Sequence, residues 1–353
     1  MCIRDRLQTE EAERLDTVGD PGAALALLEE AVAAFERLGD VRDRAVTMGR
    51  VADILQGQGK TEQALRIRRE EELPVYEGLG DMRERAVTMG QIADILERRG
   101  ETEEALRIRR EEELPIYERL GEVRERAITM GQIADILEGR GENEEALRIR
   151  REELLPVFKK IGDVREHAIT VGQIADLLEG RGEKEEALRI RREELLPVFE
   201  RLGDVRSRAA TMGKIADSLQ GRGENEEALR IRREELLPVF EKLDDVRSRS
   251  ITLQRIATAL IEAGGLQQGK AQEIHDALAE SFAIARKVDD PTGIAGVGMV
   301  LAQVLAMSGQ REEALAVLGE ARSGFQRIGH QQGIDQVDAL IRRIEAGGED
   351  GEG

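Results

Sequence analysis

GEVRERAITMGQIADILEGRGENEEALRIRREELLPVFKKI, residues 121–161, is one unit of the pattern that decides the fold. Its opening glycine, followed by Asp or Glu and then by Val-Arg or Met-Arg, recurs at Gly39, Gly80, Gly121, Gly162 and Gly203. The spacing is 41 residues each time, and Asp244 continues the series. A fixed period of this size marks a stacked array. Inside the unit, Val123, Ala127, Met130, Ala134 and Leu137 fall on one face of a helix. An acidic pair three residues apart opens that helix: Asp40/Asp43, Asp81/Glu84, Glu122/Glu125 and Asp163/Glu166, a variant of the capping box. Gly59, Gly100, Gly141, Gly182 and Gly223 stop it as C′ glycines. Thr61, Thr102, Asn143 and Asn225 are then expected to cap a second helix, with Glu in its first turn favoured by the helix dipole. No stretch alternates with period two over six residues, so strands are not expected.

Working outward, five near-identical repeats fill residues 39–243. Divergent units flank them: a helical hairpin at 7–38, two repeats at 244–328, a capping helix at 329–346 and an acidic tail, expected to be disordered, at 347–353. One helical pair cannot bury its apolar face alone, but stacked neighbours can. The 353 residues therefore need no single large core, which would stop growing near ~250–300 residues. Six Phe, two Tyr and no Trp would be few for a compact enzyme core. The net charge of −19, from 53 basic and 72 acidic side chains, argues against nucleic acid as a partner. No apolar run approaches the ~18 residues of a membrane span, and no signal peptide opens the chain, so a cytoplasmic location is expected. Residues 1–6, MCIRDR, look like a translated sequencing-adapter remnant, which implies an open reading frame cut at its start. They contain Cys2, the one cysteine of the chain, so no disulfide or cysteine metal site is expected.

The sequence GRGENEEALRI, preceded by the small-residue helix IADIL, resembles the tetratricopeptide repeat (TPR). In the unit from Gly121, Ala134 falls on that family's small residue of the first helix and Leu137 on its large one. Gly141 falls on the turn glycine and Ala146 on the small residue of the second helix. The lengthened second helix resembles the 40–42-residue bacterial and kinesin-light-chain-like variants. Met130 and Arg150 stand where the family often has aromatics. The resemblance implies an all-α, right-handed α-solenoid of TPR-like hairpins.

Three features are peculiar to the five central repeats. Pro74, Pro115, Pro156, Pro197 and Pro238 sit two-thirds along the second helix, and each comes with one extra residue relative to the flanking units. A proline removes an N–H and clashes with the carbonyl four residues back; an inserted residue is commonly absorbed as a π-bulge. A widened turn is therefore expected around 111–115 and its equivalents, and not near 31–35 or 321–325. The inward positions of the flanking second helices, Leu28/Ala31 and Leu318/Ala321, become Arg68/Glu71, Arg109/Glu112, Arg150/Glu153, Arg191/Glu194 and Arg232/Glu235. These form either a solvated face or a buried Arg–carboxylate ladder, for which the planar guanidinium is suited. A glycine column, Gly49, Gly90, Gly131, Gly172 and Gly213, costs ~1 kcal/mol per position against Ala. Close helix approach or an open groove floor would account for it.

Catalytic motifs fail in context. Gly264–Ala271, GGLQQGKA, has Ala271 where a P-loop needs Ser or Thr, and it follows a helix rather than a strand. Gly296-Val-Gly298 lacks the third glycine of a dinucleotide fingerprint. His167, His275 and His330 are isolated, so no metal site is expected. The expectation is a non-catalytic protein without cofactors.

In the TPR family the first helices line the concave, ligand-binding face. By that resemblance the candidate site comprises the aspartates Asp53, Asp94, Asp135, Asp176 and Asp217, the amides Gln91, Gln132 and Gln173, the acids Glu97, Glu138 and Glu179, and Lys214. The family's clamp for a C-terminal carboxylate needs Lys and Asn where this chain has Gly and Asp, so chaperone-tail binding is not expected. An acidic groove favours a basic or amide-rich protein or peptide; the alternative is that each Asp only pairs with an Arg of a neighbouring unit. A peptide-binding scaffold is the expected function. The alternatives are a sensor arm of a larger signalling protein and a self-assembling structural repeat, against which the cap-like flanking units argue. The sequence does not fix an oligomeric state.

Overall fold

The helix starts follow from the acidic residues before them. Asp40, Asp81, Asp163 and Asp204 each accept a hydrogen bond from the backbone N–H three residues on, at 3.0–3.2 Å. Such a cap satisfies one of the orphan donors of the first turn. Glu122 does not cap its helix. Its side chain is one methylene longer and is held by Arg83 Nε at 3.1 Å.

The structure, a computed structural model, describes residues 19–346. The adapter-like residues 1–6, the first part of the N-terminal hairpin and the tail 347–353 lie outside the described residues. Among the described residues every regular element is helical and no strand occurs. The chain divides into two units, Met1–Leu177 and Leu178–Gly353, and the boundary falls inside the helix Val164–Gly180.

The first unit holds α1 (Pro21–Leu38), α2 (Val41–Gly57), α3 (61–79), α4 (Met82–Arg98), α5 (102–120), α6 (Val123–Gly139), α7 (143–161) and the greater part of α8 (Val164–Gly180). The second holds α9 (184–202), α10 (Val205–Gly221), α11 (225–242), α12 (Val246–Glu262), α13 (Ala271–Lys287), α14 (Pro291–Met307), α15 (Arg311–Arg327) and α16 (Gln331–Ala346). The even-numbered helices from α2 to α10 are the first helices of repeats 1–5, and α3 to α11 the second helices. Alanines at Ala45, Ala52 and Ala64, and at Ala86, Ala93 and Ala105, are fully buried and let first and second helices approach closely. Ile95, Leu96 and Leu137 fill the space beside them, each contributing about 1.5–3 kcal/mol by leaving water. In the second unit Phe282 and Phe325 anchor the core of α12 to α16.

The turn between the paired helices is tighter than the sequence reading expects. Gly59 adopts φ +77°, and the N–H of Lys60 reaches back to the Leu55 carbonyl at 2.8 Å, a Schellman closure. The residue after the glycine is then already the N-cap. Thr61, Thr102, Asn143 and Asn225 become the first helical residues, and no side chain caps these helices. At the start of α12 Asp244 takes the left-handed place of the repeat glycine, at φ +52°.

The second helices of the repeats widen where the inserted residue and the proline meet. π-Helical segments run Arg68–Glu72, Ile108–Glu113, Ile149–Leu154, Arg191–Leu195 and Ile231–Leu236. In each, the residue before the proline donates to the carbonyl of the ladder arginine five positions back. Helices α1 and α15, which lack the proline, are regular throughout.

Candidate functional site

The widened turn decides which residues face inward. Arg68, Arg109, Arg150, Arg191 and Arg232 are among the most deeply buried side chains of the protein, at most 1% exposed. Their expected partners, one turn on, are not their partners. Glu112 is half-exposed and bonds Arg107 at 2.8 Å; Glu71 holds Arg44 at 2.8 Å. Glu153 and Glu235 also bind neighbouring arginines near the surface. The extra residue of the π turn rotates the helix, so the inward position is the next one: Glu72, Glu113, Leu154, Leu195 and Leu236, all buried.

In repeats 1 and 2 this position completes an ion cluster. Arg109 donates through Nη1 to Glu113 at 3.2 Å and to Gln132 of the next repeat at 2.8 Å, and through Nη2 to Asp94. Thr129 on α6 donates to the same Glu113 carboxylate at 2.9 Å. Arg68 repeats the arrangement with Glu72 at 2.9 Å, Gln91 at 2.6 Å and Asp53. Burial is the largest influence on Glu72 and Glu113 and holds both carboxyls above the usual range; their arginines pull the other way. The glycine column explains the room: a Cβ on Gly49 or Gly90 would lie 2.7 or 2.9 Å from the glutamate oxygen. Close approach is thus the reason at these two positions, and the thing approached is a buried carboxylate.

Repeats 3–5 carry leucine there and find other partners. Arg150 meets Asp135 at 2.5 Å and Glu138 at 2.7 Å. Arg191 meets Glu179 at 2.7 Å and Ser218 at 3.0 Å. Arg232 meets Asp217 at 2.6 Å, while its Nη1 reaches only the Arg255 backbone carbonyl at 3.5 Å.

The aspartate column therefore has a structural task. Asp53, Asp94, Asp135 and Asp217 each bind the arginine 15 residues later in the same repeat, and Asp217 also lies 3.8 Å from Arg255 of the next unit. Their side chains still remain between 37% and 58% exposed. Gln91 and Gln132 are stapled to the arginines, and Gln173 donates to Asp135 at 3.2 Å. Glu97 is half-buried, and burial raises its pKa against the pull of Arg109. Asp176 is half-buried and Lys214 exposed, and both are engaged by neighbours. On α2, α4 and α6 of the first unit the column thus presents partly exposed acids seated on buried arginines. Among the described residues no cluster could hold a metal ion, and no helix is long and apolar enough to cross a membrane.

The sequence reading missed Glu72, Glu113 and Thr129. The signal was present: one inserted residue moves the inward partner from three to four positions after the arginine.

No protein-family model matches the chain, and no curated protein matches it. Solved structures do. A signal-transduction ATPase with numerous domains and a tetratricopeptide repeat sensor, from Pyrococcus horikoshii, aligns with a TM-score of 0.67 at 17% identity, covering 95% of this chain and 48% of that one. Aspartyl phosphate phosphatase F from Bacillus subtilis aligns at 0.55 and 9% identity, over 97% and 94%. A Rap protein complexed with competence and sporulation factor aligns at 0.52 and 13%, over 97% and 98%. At these identities the likeness is one of fold: the chain is built of TPR-like helical hairpins.

Proposed function

We propose that this protein is a non-catalytic repeat scaffold that binds an extended, basic polypeptide segment along the first helices of its first unit. The observation that carries the reading is the repetition of Asp94, Asp135 and Asp176 once per repeat on α4, α6 and α8, with Glu97 and Glu138 one turn further along. The buried arginines offset part of this charge, while the aspartates beside them stay partly exposed. An extended acidic potential attracts and steers a cationic chain. The Rap structure contains a competence and sporulation factor, which supports reading a fold of this kind as a binding surface. A second reading, the sensor arm of a larger signalling protein, is supported by the ATPase whose tetratricopeptide repeat sensor shares this architecture. Sequence upstream at the same locus tests it: an encoded effector domain supports the sensor, and an unrelated neighbouring gene opposes it.

The binding reading is tested by peptide-library capture with wild type and an Asp94→Asn, Asp135→Asn, Asp176→Asn variant at low and high salt. Asparagine keeps an acceptor for each arginine and removes the charge. Each exposed contact is worth ~0.2–1 kcal/mol, so basic peptides should bind the variant roughly tenfold more weakly at low salt, with the difference vanishing at high salt. Equal capture by both proteins, or enrichment of acidic peptides, would refute the reading.

A further inference from the structure

The five repeats offer an internal comparison at one place. Repeat 2 seats the Glu113 carboxylate between Gly90, Arg109 and Thr129. In repeat 5 the corresponding residues, 123 positions on, are Leu236, Gly213, Arg232 and Thr252. The donors are kept and the carboxylate is gone. In its place is a cavity of about 170 Å³. A Cβ on Gly213 would meet nothing within 4 Å, where the same Cβ on Gly90 would collide with the glutamate.

The electrostatics follow the geometry. The Arg232 guanidinium is buried and has one acid partner, Asp217, on Nη2. The nitrogen that takes Glu72 or Glu113 in repeats 1 and 2 has only a carbonyl at 3.5 Å. The position of Gln91 and Gln132 is here Arg255, 3.8 Å from the same Asp217. Two cations thus share one aspartate at ion-pair distance, with the Glu262 carboxylate acting on Arg232 from further off. Burial pushes the Arg232 pKa down, and Asp217 pulls against it. The mouth of the cavity opens past the exposed Ala210 and Ile251, and Leu236 and Phe240 give it apolar walls.

We infer that this cavity in repeat 5 is a binding site for a ligand carboxylate on a short aliphatic stem, which takes the place that Glu113 fills within its own chain. The anion is received by Arg232 Nη1, with Arg255 at the rim, and the stem lies against Leu236, Phe240 and Ile251. Thr252 donates to the Ser248 carbonyl at 2.8 Å; Thr129 makes the same bond, at 3.1 Å, while also serving Glu113. A planar carboxylate is favoured over a tetrahedral anion because the pocket is shaped on a carboxylate in the sister repeats, and a guanidinium fork matches that group. The site is independent of the proposed acidic groove, lying in the other unit.

The experiment titrates the full chain with butyrate, with its neutral isostere butyramide and with inorganic phosphate, at constant ionic strength, following saturation by ligand-observed NMR. Wild type should bind butyrate saturably, and butyramide and phosphate at least tenfold more weakly. Leu236→Glu should restore the internal carboxylate and lower butyrate affinity at least tenfold, with helical circular dichroism intact. Arg255→Gln, at a half-exposed position, provides a variant that does not touch the core, and it should weaken butyrate about threefold or more. Absence of saturable butyrate binding to wild type, equal binding by the Leu236→Glu protein, or phosphate binding as tightly as butyrate would each overturn the inference.

Discussion

Repeat 2 and repeat 5 share the ladder arginine and its aspartate, glycine and threonine neighbours, yet they solve its burial differently. Arg109 is enclosed by Asp94, Glu113 and Gln132. Arg232 has Asp217, a distant carbonyl and a cavity. The lesson is that the conserved helix frame tolerates either a closed ion cluster or an open one. The choice turns on two positions: Leu236 replaces Glu113, and Gln220 stands where Glu138 and Glu179 serve the arginines of repeats 3 and 4. A buried charge is costly unless paired and hydrogen-bonded, so an array of near-copies can hold a satisfied site beside one that still has capacity for a ligand.

The comparison would break most visibly on removal of the arginines. Arg109→Leu leaves Asp94 and Glu113 without their shared cation, one of them fully enclosed. Loss of one partner of a buried pair typically costs ~3–5 kcal/mol, and chemical denaturation of the variant should show a loss of that size. Arg232→Leu leaves the half-exposed Asp217 with Arg255 at 3.8 Å and should cost less than half as much. Equal losses at the two positions would mean that the carboxylate at 113 contributes nothing to how Arg109 is held.

Much of this frame was legible in the sequence. The period, the helix pairs and the widened turn follow from glycine spacing and from the coincidence of one inserted residue with one proline. The alignment of Arg68 and its equivalents with Leu28 and Leu318 pointed inward but left a solvated face open, which their burial closes. The acid partner was not legible from the regular helical offset, because the π turn itself shifts the offset from Glu112 to Glu113. The aspartate column was located correctly on the first helices, but its engagement with arginines of the same repeat depends on side-chain reach between two helices, which spacing alone does not fix. The caps at Thr61 and Asn143 were misplaced because the glycine turn is short enough to make the following residue the N-cap.

A smaller effect separates the two ways of filling the inward position. Glu113→Leu gives repeat 2 the residue of repeats 3–5, with Arg109 keeping Asp94 and Gln132 and with Glu97 nearby. Removing one partner of a buried pair is costly when it strands the other charge, but here Arg109 still has Asp94 on Nη2 and Gln132 on Nη1. The variant should therefore stay within about 1 kcal/mol of wild type at neutral pH, far from the loss at Arg109. A penalty as large as that of Arg109→Leu would show that the cluster acts as an indivisible unit.

The same variant sharpens the comparison through its dependence on pH. Burial holds the Glu113 carboxyl above its ordinary value of 4.5, against the pull of Arg109 and Thr129 and with Asp94 adding to the rise. A carboxyl whose pKa is raised on folding binds its proton more tightly in the native state than in the unfolded one. Its contribution to stability is then fully present below pH 4.5 and is lost as pH rises through the native value. Glu113 should thus favour the folded state more in mild acid than at neutrality, opposite to a salt-bridged surface carboxylate. Comparing wild type with Glu113→Leu by denaturant unfolding between pH 7 and pH 5 cancels most of the other acids. As pH falls, wild type should gain relative to the variant by a fraction of the ~1.4 kcal/mol that one pKa unit represents. A relative loss instead would mean that the attraction of Arg109 outweighs the burial of Glu113, and that the closed cluster of repeat 2 is held by its charge and not in spite of it.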